Sequence, residues 1–368
     1  MIVGTRTFML DTSSLVAMSQ LAERRDIELL LQDACGDGWL LILTGHQFVE
    51  MLRHENDREA ERRLAFLLWL GKQPGLAWLA AGDRWESLGM IPHVTASEVQ
   101  AVVDGVPQDA LREHVLGRLL RVSPPPAHEF SDLAGLRPIF HARMEREREI
   151  ASIVRSSGPD FGSETIGELR RRGTYPTEVA RRRVVAQADA LREEIRKTGD
   201  RRIGDPASVA QEFLFSAAHD LPDNIAPGEN PADAFIRSFG VDPETVPDDM
   251  SSNDFAYLAE FQQKIRVAAR EVNVDPLDLP RLRREQIPTC HIQHLLRVAR
   301  VQSGARASGG DLADSYLASM AYYIDLVVAD KRTVELMAQV RRRLGFMRIG
   351  RVCRLPEIVG LPELLREA

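Results

Sequence analysis

Phe8-Met9-Leu10-Asp11-Thr12-Ser13 reads as a short apolar strand that stops on an aspartate, with two hydroxyl residues behind it. The same design returns near the other end of the chain as Leu326-Val327-Val328-Ala329-Asp330-Lys331. Strands buried on both faces are continuously apolar, and open α/β sheets hold their ligand sites at the carboxyl ends of such strands. A third apolar run, Trp39-Leu40-Leu41-Ile42-Leu43, leads into Thr44, which opens a helix with Gln47 three residues on, the spacing of a capping box. That helix carries Glu50 among Phe48, Val49, Met51 and Leu52. A fourth acid, Asp314, stands in the first turn of a helix that starts after Gly309-Gly310, close to Asp311.

Strand, helix, strand, helix is the grammar of a parallel sheet. It is read here as a strand over 7–10, a helix or helix pair over 12–34, the strand over 39–43 and the Glu50 helix. It resumes with a helix from Leu312 to Tyr323, a strand over 326–329, a helix over 332–343 and a strand over 346–349. In the middle of the chain that alternation gives way to charge-rich amphipathic segments near 56–71, 97–104, 107–121, 138–156, 176–198, 206–219, 252–273 and 290–303. Breakers such as Ser123-Pro124-Pro125-Pro126 and Pro227-Gly228 divide them. The expectation is an α/β fold whose parallel-sheet core, residues 1–55 and 288–368, is built from both chain ends, with residues 56–287 as a large all-α insertion.

With 368 residues, 44% hydrophobic and 27% charged, the chain has the composition of a soluble globular protein. Its net charge of -7 excludes a generic polyanion binder, so any nucleic-acid contact must come from a local basic patch. Lysine occurs only at Lys72, Lys197, Lys264 and Lys331, so nearly all positive charge is arginine. Arginine clusters at Arg170-Arg171-Arg172, Arg181-Arg182-Arg183 and Arg341-Arg342-Arg343 point in several directions on a helix, and aromatic residues, at 6%, do not interleave with them. Cys35, Cys290 and Cys353 form no CxxC pair, which suits a reducing compartment. No segment approaches the roughly 20 apolar residues needed to span a bilayer, and the first residues lack the pattern of a signal peptide. A cytoplasmic protein with no membrane partner is expected.

Taken singly, the acids have ordinary explanations. Asp11, Asp311 and Asp330 stand where helix N-caps stand, and Asp314 falls in a first turn that favours negative charge. Thr12 and Ser13 are also good capping hydroxyls. Taken together and in order, the residues resemble the PIN-domain nuclease superfamily. The resemblance rests on a strand ending in Asp11 with hydroxyls after it, the Thr44-to-Glu50 helix, Asp314-Ser315-Tyr316-Leu317-Ala318, and a strand ending in Asp330. It covers roughly the first 55 and last 80 residues. It departs from the family pattern at Ala329, where a hydroxyl residue is frequent, and in the long central segment.

The resemblance implies a magnesium- or manganese-dependent endoribonuclease in which Asp11, Glu50, Asp314 and Asp330 hold the metal and a metal-activated water cleaves RNA phosphodiester bonds. Thr12, Ser13, Asp311 and Lys331 would support them. RNA is the expected partner ahead of DNA, with a protein partner on the helical segment and a homodimer as further expectations. A DNA or flap-structure nuclease on the same fold is one alternative. A non-catalytic binding or scaffold protein that has kept the core is another. His46, Glu50 and His54 share a helical face but lack the HExxH order of a zinc site, and neither a P-loop nor a dinucleotide fingerprint is present.

Overall fold

Trp39–Leu43 is buried at all five positions and forms a strand inside a six-stranded sheet. The structure is a computed structural model. It describes residues 5–21, 24–79, 91–121, 164–172, 185–219, 229–274, 282–303, 311–345, 347–355 and 357–368, with residue 182 and scattered residues between 135 and 152. Numbered in chain order among these, the strands are β1 (Arg6–Met9), β2 (Trp39–Leu43), β3 (Leu76–Leu79), β4 (Leu120–Arg121), β5 (Leu326–Val328) and β6 (Arg351–Cys353). The helices of the first third are α1 (Thr12–Ser19), α2 (Arg24–Gly36), α3 (Gly45–Leu52), α4 (Asp57–Leu70), α5 (Ile91–Val103) and α6 (Leu111–Leu119). Then come α7 (Ile166–Arg171), α8 (Ala188–Thr198), α9 (Pro206–His219), α10 (Pro231–Ser238) and α11 (Ser252–Glu271). The last are α12 (Pro288–Gln302), α13 (Asp311–Ser319), α14 (Lys331–Arg343) and α15 (Leu361–Glu367).

The sheet runs β4-β3-β2-β1-β5-β6, and every pairing is parallel except β3 with β4. Side chains alternate across it with the period of two that a strand imposes. Phe8, Leu41, Leu43, Trp78, Leu326 and Val328 join one apolar layer, beneath α1 to α4 and α15. Met9, Leu40, Ile42, Ala77, Leu79 and Val327 join the other, beneath α5, α6 and α12 to α14. Both faces are covered, which is why the central strands carry no polar alternation.

Two expectations need correction. Residues 56–287 are not all-α: Leu76–Leu79 extends the sheet beside β2, and Leu120–Arg121 closes that edge. The apolar run at 76–79 is only four residues long, too short to separate by pattern from a buried helical turn. It becomes a strand because Gly75, at φ 77°, brings the chain against Cys35, and its carbonyl accepts the Leu41 N–H at 2.8 Å. The last strand is Arg351–Cys353 and not 346–349; Phe346 lies outside the described residues. Gly350 sets that start, since a Cβ there would collide with the Ile324 carbonyl and its N–H bonds the Ala321 carbonyl at 2.6 Å. The helix or helix pair expected over 12–34 is the pair α1 and α2, and the helix expected over 138–156 lies largely outside the described residues.

Of the remaining central helices, α11 packs on α5, α7 and α10 gather on α11, and α8 and α9 pack on each other. α11 lies against α5, with Phe261, Ile265 and Ala268 meeting Ala96, Val99 and Ile287. Ile166, Ile236 and Phe255 join α7, α10 and α11 in a smaller cluster, and Ile195, Val209 and Ala210 join α8 to α9. Among the described residues no helix is long and apolar enough to cross a membrane.

Candidate functional site

The register of β1 places Phe8 beside both Leu41 and Leu326, so β1 has β2 on one flank and β5 on the other. Chain order reverses at the β1–β5 junction, and such a switch point leaves a crevice at the carboxyl ends of the strands where open α/β sheets bind ligands. Asp11 follows β1 by two residues and Asp330 follows β5 by two residues, so both stand at that crevice, on strands whose spacing is about 4.8 Å.

Each aspartate is held by the helix that it starts. Asp11 caps α1, its Oδ1 accepting the Ser14 N–H at 2.9 Å and its Oδ2 the Ser13 hydroxyl at 2.8 Å. Asp330 caps α14 through the Thr333 N–H at 2.7 Å and is exposed. The capping reading is therefore correct for both, and it fixes each carboxylate at the strand end while leaving room for other contacts.

α3 brings Glu50 to the same edge. The Gln47 side chain takes the Thr44 N–H at 2.7 Å and donates from Nε2 to the Leu10 carbonyl at 2.5 Å, tying the start of α3 to the end of β1. One turn on, Glu50 Oε2 accepts the Thr12 hydroxyl and Oε1 accepts Arg53 Nη2 at 2.8 Å. The His46 ring lies 4.6 Å from the Tyr316 ring, which sets α13 beside α3 and puts half-buried Asp314 within a turn of that contact. Arg300 of α12 reaches Ser315 at 3.2 Å, next to Asp314.

Asp11, Asp330 and Glu50 thus share one edge, with the Ser13 hydroxyl bonded to Asp11 and the Thr12 hydroxyl to Glu50. Asp314 reaches the same side by helix packing. Lys331 is exposed and lies 3.8 Å from Glu335, and the Asp311 side chain lies outside the described residues. The donor chemistry, carboxylates backed by hydroxyls, suits a hard divalent cation. Among the described residues, no three His, Cys, Asp or Glu side chains group closely enough to hold one, and Glu50 is turned onto Thr12 and Arg53.

Two networks away from that edge, one half-buried and one buried, were not foreseen. At the amino ends of the same strands, Asp325 Oδ2 accepts the Thr7 N–H and hydroxyl, both at 2.9 Å, and Oδ1 accepts Arg112 from α6 at 2.5 Å. Burial raises the Asp325 carboxyl, but Arg112 and Thr7 outweigh it and hold it below the ordinary value. In the second network Glu98 of α5, fully buried, accepts the Thr289 N–H at 3.0 Å, the Thr289 hydroxyl at 2.5 Å and the Tyr323 hydroxyl at 2.6 Å. Burial pushes Glu98 up to about 7 against the pull of those donors. A signal for it existed in the sequence: a lone acid in the run Val94-Thr95-Ala96-Ser97-Glu98-Val99, where its apolar neighbours predict burial.

No protein-family model, curated protein or solved structure matches the chain.

Proposed function

We propose that the protein is a metal-dependent endoribonuclease working at the crevice between β1 and β5. The observation that carries the reading is the placement of Asp11 and Asp330 just past the ends of the two adjacent parallel strands flanking the switch point. Carboxylates gathered at one strand-end crevice repel unless a cation lies between them. Asp11, Glu50, Asp314 and Asp330 would hold magnesium or manganese, which prefer carboxylate oxygen. When bound, such an ion supplies Lewis acidity that activates water and offsets the charge developing on a phosphodiester.

The residues of the chain do the positioning. Ser13 and the Ser14 N–H fix the Asp11 carboxylate, the Thr333 N–H fixes Asp330, and the Thr12 hydroxyl proton, donated to Oε2, keeps Glu50 at the edge. Arg53 holds the other oxygen of Glu50 and must yield it for that oxygen to face a cation.

Asparagine caps a helix as well as aspartate does, so Asp11→Asn and Asp330→Asn remove charge while sparing α1 and α14. With manganese and single-stranded RNA, each substitution should lower cleavage by on the order of 100-fold or more, and excess EDTA should abolish it. Cleavage that survives both overturns the mechanism. Single-stranded and branched DNA assayed in parallel distinguish an RNA enzyme from a DNA or flap nuclease. The engagement of Glu50 with Arg53 favours one second reading, a binding protein that keeps the core without turnover. Wild-type protein that binds manganese and RNA yet cleaves nothing would establish it.

A further inference from the structure

Gln20 at the end of α1, His54 just past α3, and Asn56, Arg58, Glu59, Arg62 and Arg63 at the start of α4 line a shallow cavity of about 530 Å³. Its cations are pre-oriented. Glu59 accepts Nε–H and Nη2–H of Arg62 at 2.9 and 2.8 Å and Nε–H of Arg63 at 2.8 Å, so one carboxylate aims two guanidinium planes. Arg62 also reaches back to the Ser19 carbonyl at 3.4 Å, while Arg58 is exposed. His54 Nδ1 accepts the Asn56 N–H at 3.1 Å, which leaves Nε2–H as a further donor. Three arginines against one glutamate leave the lining with two excess positive charges. Of the acids adjoining it in sequence, Asp57 is paired with Arg137, and neither Glu55 nor Glu61 lines the cavity.

α1 and α3 link the cavity to the acidic edge. His54 lies four residues beyond Glu50, and α1, whose eight residues span about 12 Å, connects Asp11 to Gln20. Glu59 holds one fork of Arg62 and leaves its outer Nη edge, with the exposed guanidinium of Arg58, to meet the paired oxygens of a phosphodiester, and a shallow, open cavity suits a passing strand better than an enclosed small anion. We infer that this cavity is a phosphate subsite, in which Arg58 and Arg62 grip the backbone of a single-stranded RNA whose reacting bond lies over Asp11 and Asp330. The inference rests on the nuclease reading of that edge.

The test is equilibrium binding of a fluorescently labelled single-stranded 12-mer RNA in EDTA, by anisotropy across a salt series, to wild type and to Arg58→Ala/Arg62→Ala. The double variant should bind at least ~10-fold more weakly, and the slope of log K on log salt should shrink by about 1.4, the share of two single-strand phosphates. Methylphosphonate linkages, which remove the backbone charge, should erase the difference between the two proteins. Arg58→Gln/Arg62→Gln, which keeps side-chain bulk, should repeat the loss if the alanine pair lowers the melting temperature. Equal binding by wild type and both variants overturns the subsite alone, because manganese-dependent cleavage can still proceed. Inorganic phosphate that competes at concentrations matching the oligonucleotide's own affinity overturns it in favour of a free-anion site. Wild type that binds no RNA at all, and cleaves none with manganese, overturns the subsite and the nuclease reading together.

Discussion

Glu98 stands where an ionised carboxylate is hardest to keep, fully buried among α5, α12 and the turn before β5. All its partners can donate, so the hydrogen bonds favour the charged form, and burial still wins, raising the group to about 7. Its neighbours are also shifted: burial pushes Cys290 up to about 12, and burial together with Glu98 raises Tyr323 well above the ordinary tyrosine value. A folded-state value above the unfolded one means that the contribution is complete below about 4.5 and is lost as pH rises through about 7. Between pH 5 and pH 8 the wild type should therefore lose up to about 3 kcal/mol of unfolding free energy from this group. Glu98→Gln should flatten that slope, and urea titrations at the two pH values measure it. A slope of the same size in the variant would assign the effect to another group.

α6 is joined to the sheet by an ion pair that reaches the amino ends of β1 and β5. Arg112 donates to Asp325 and to the Tyr323 carbonyl, at 3.1 and 3.2 Å, while Asp325 binds both polar atoms of Thr7. Removing the guanidinium leaves a half-buried carboxylate with donors on one side only. Arg112→Ala should cost about 2 kcal/mol in chemical denaturation, discounted from a fully buried pair because both side chains are about a quarter exposed. A loss below a few tenths would show the clamp to be ornamental. Such pairings explain what the sequence could and could not disclose. Trp39–Leu43 and the aspartate-terminated strands were legible because an unbroken apolar run followed by a polar stop is local information. Leu76–Leu79 was not, because its partner strand and the turn at Gly75 decide it. The Glu98 network was hidden for a different reason: Thr289 and Tyr323 lie 191 and 225 residues away along the chain, beyond any periodicity. At the acidic edge, the positions of Asp11 and Asp330 were readable, whereas the engagement of Glu50 with Thr12 and Arg53 depends on how α1 and α3 pack.

The central segment and the terminal segments share one sheet and one pair of apolar layers. Trp78, Leu79, Phe66 and Leu67 from residues 57–79 are buried against them, as are Val94, Leu111 and Val115 from α5 and α6. Each such side chain contributes roughly 1.5–3 kcal/mol when buried, so their joint loss is as large as the roughly 5–15 kcal/mol by which domains are usually stable. A chain joining residues 1–55 directly to 288–368 should therefore fail to fold cooperatively, as circular dichroism during heating would show. A sharp transition in that deletion would instead mark the two ends as an autonomous unit. The order of synthesis gives the β1–β5 pairing one more consequence. Phe8 is made 318 residues before its neighbour Leu326, so β1 keeps one edge open while all the residues between them are synthesised. A growing polypeptide consequently carries Asp11 long before Asp330 can join it, so the acidic edge is completed only after every central helix has left the ribosome.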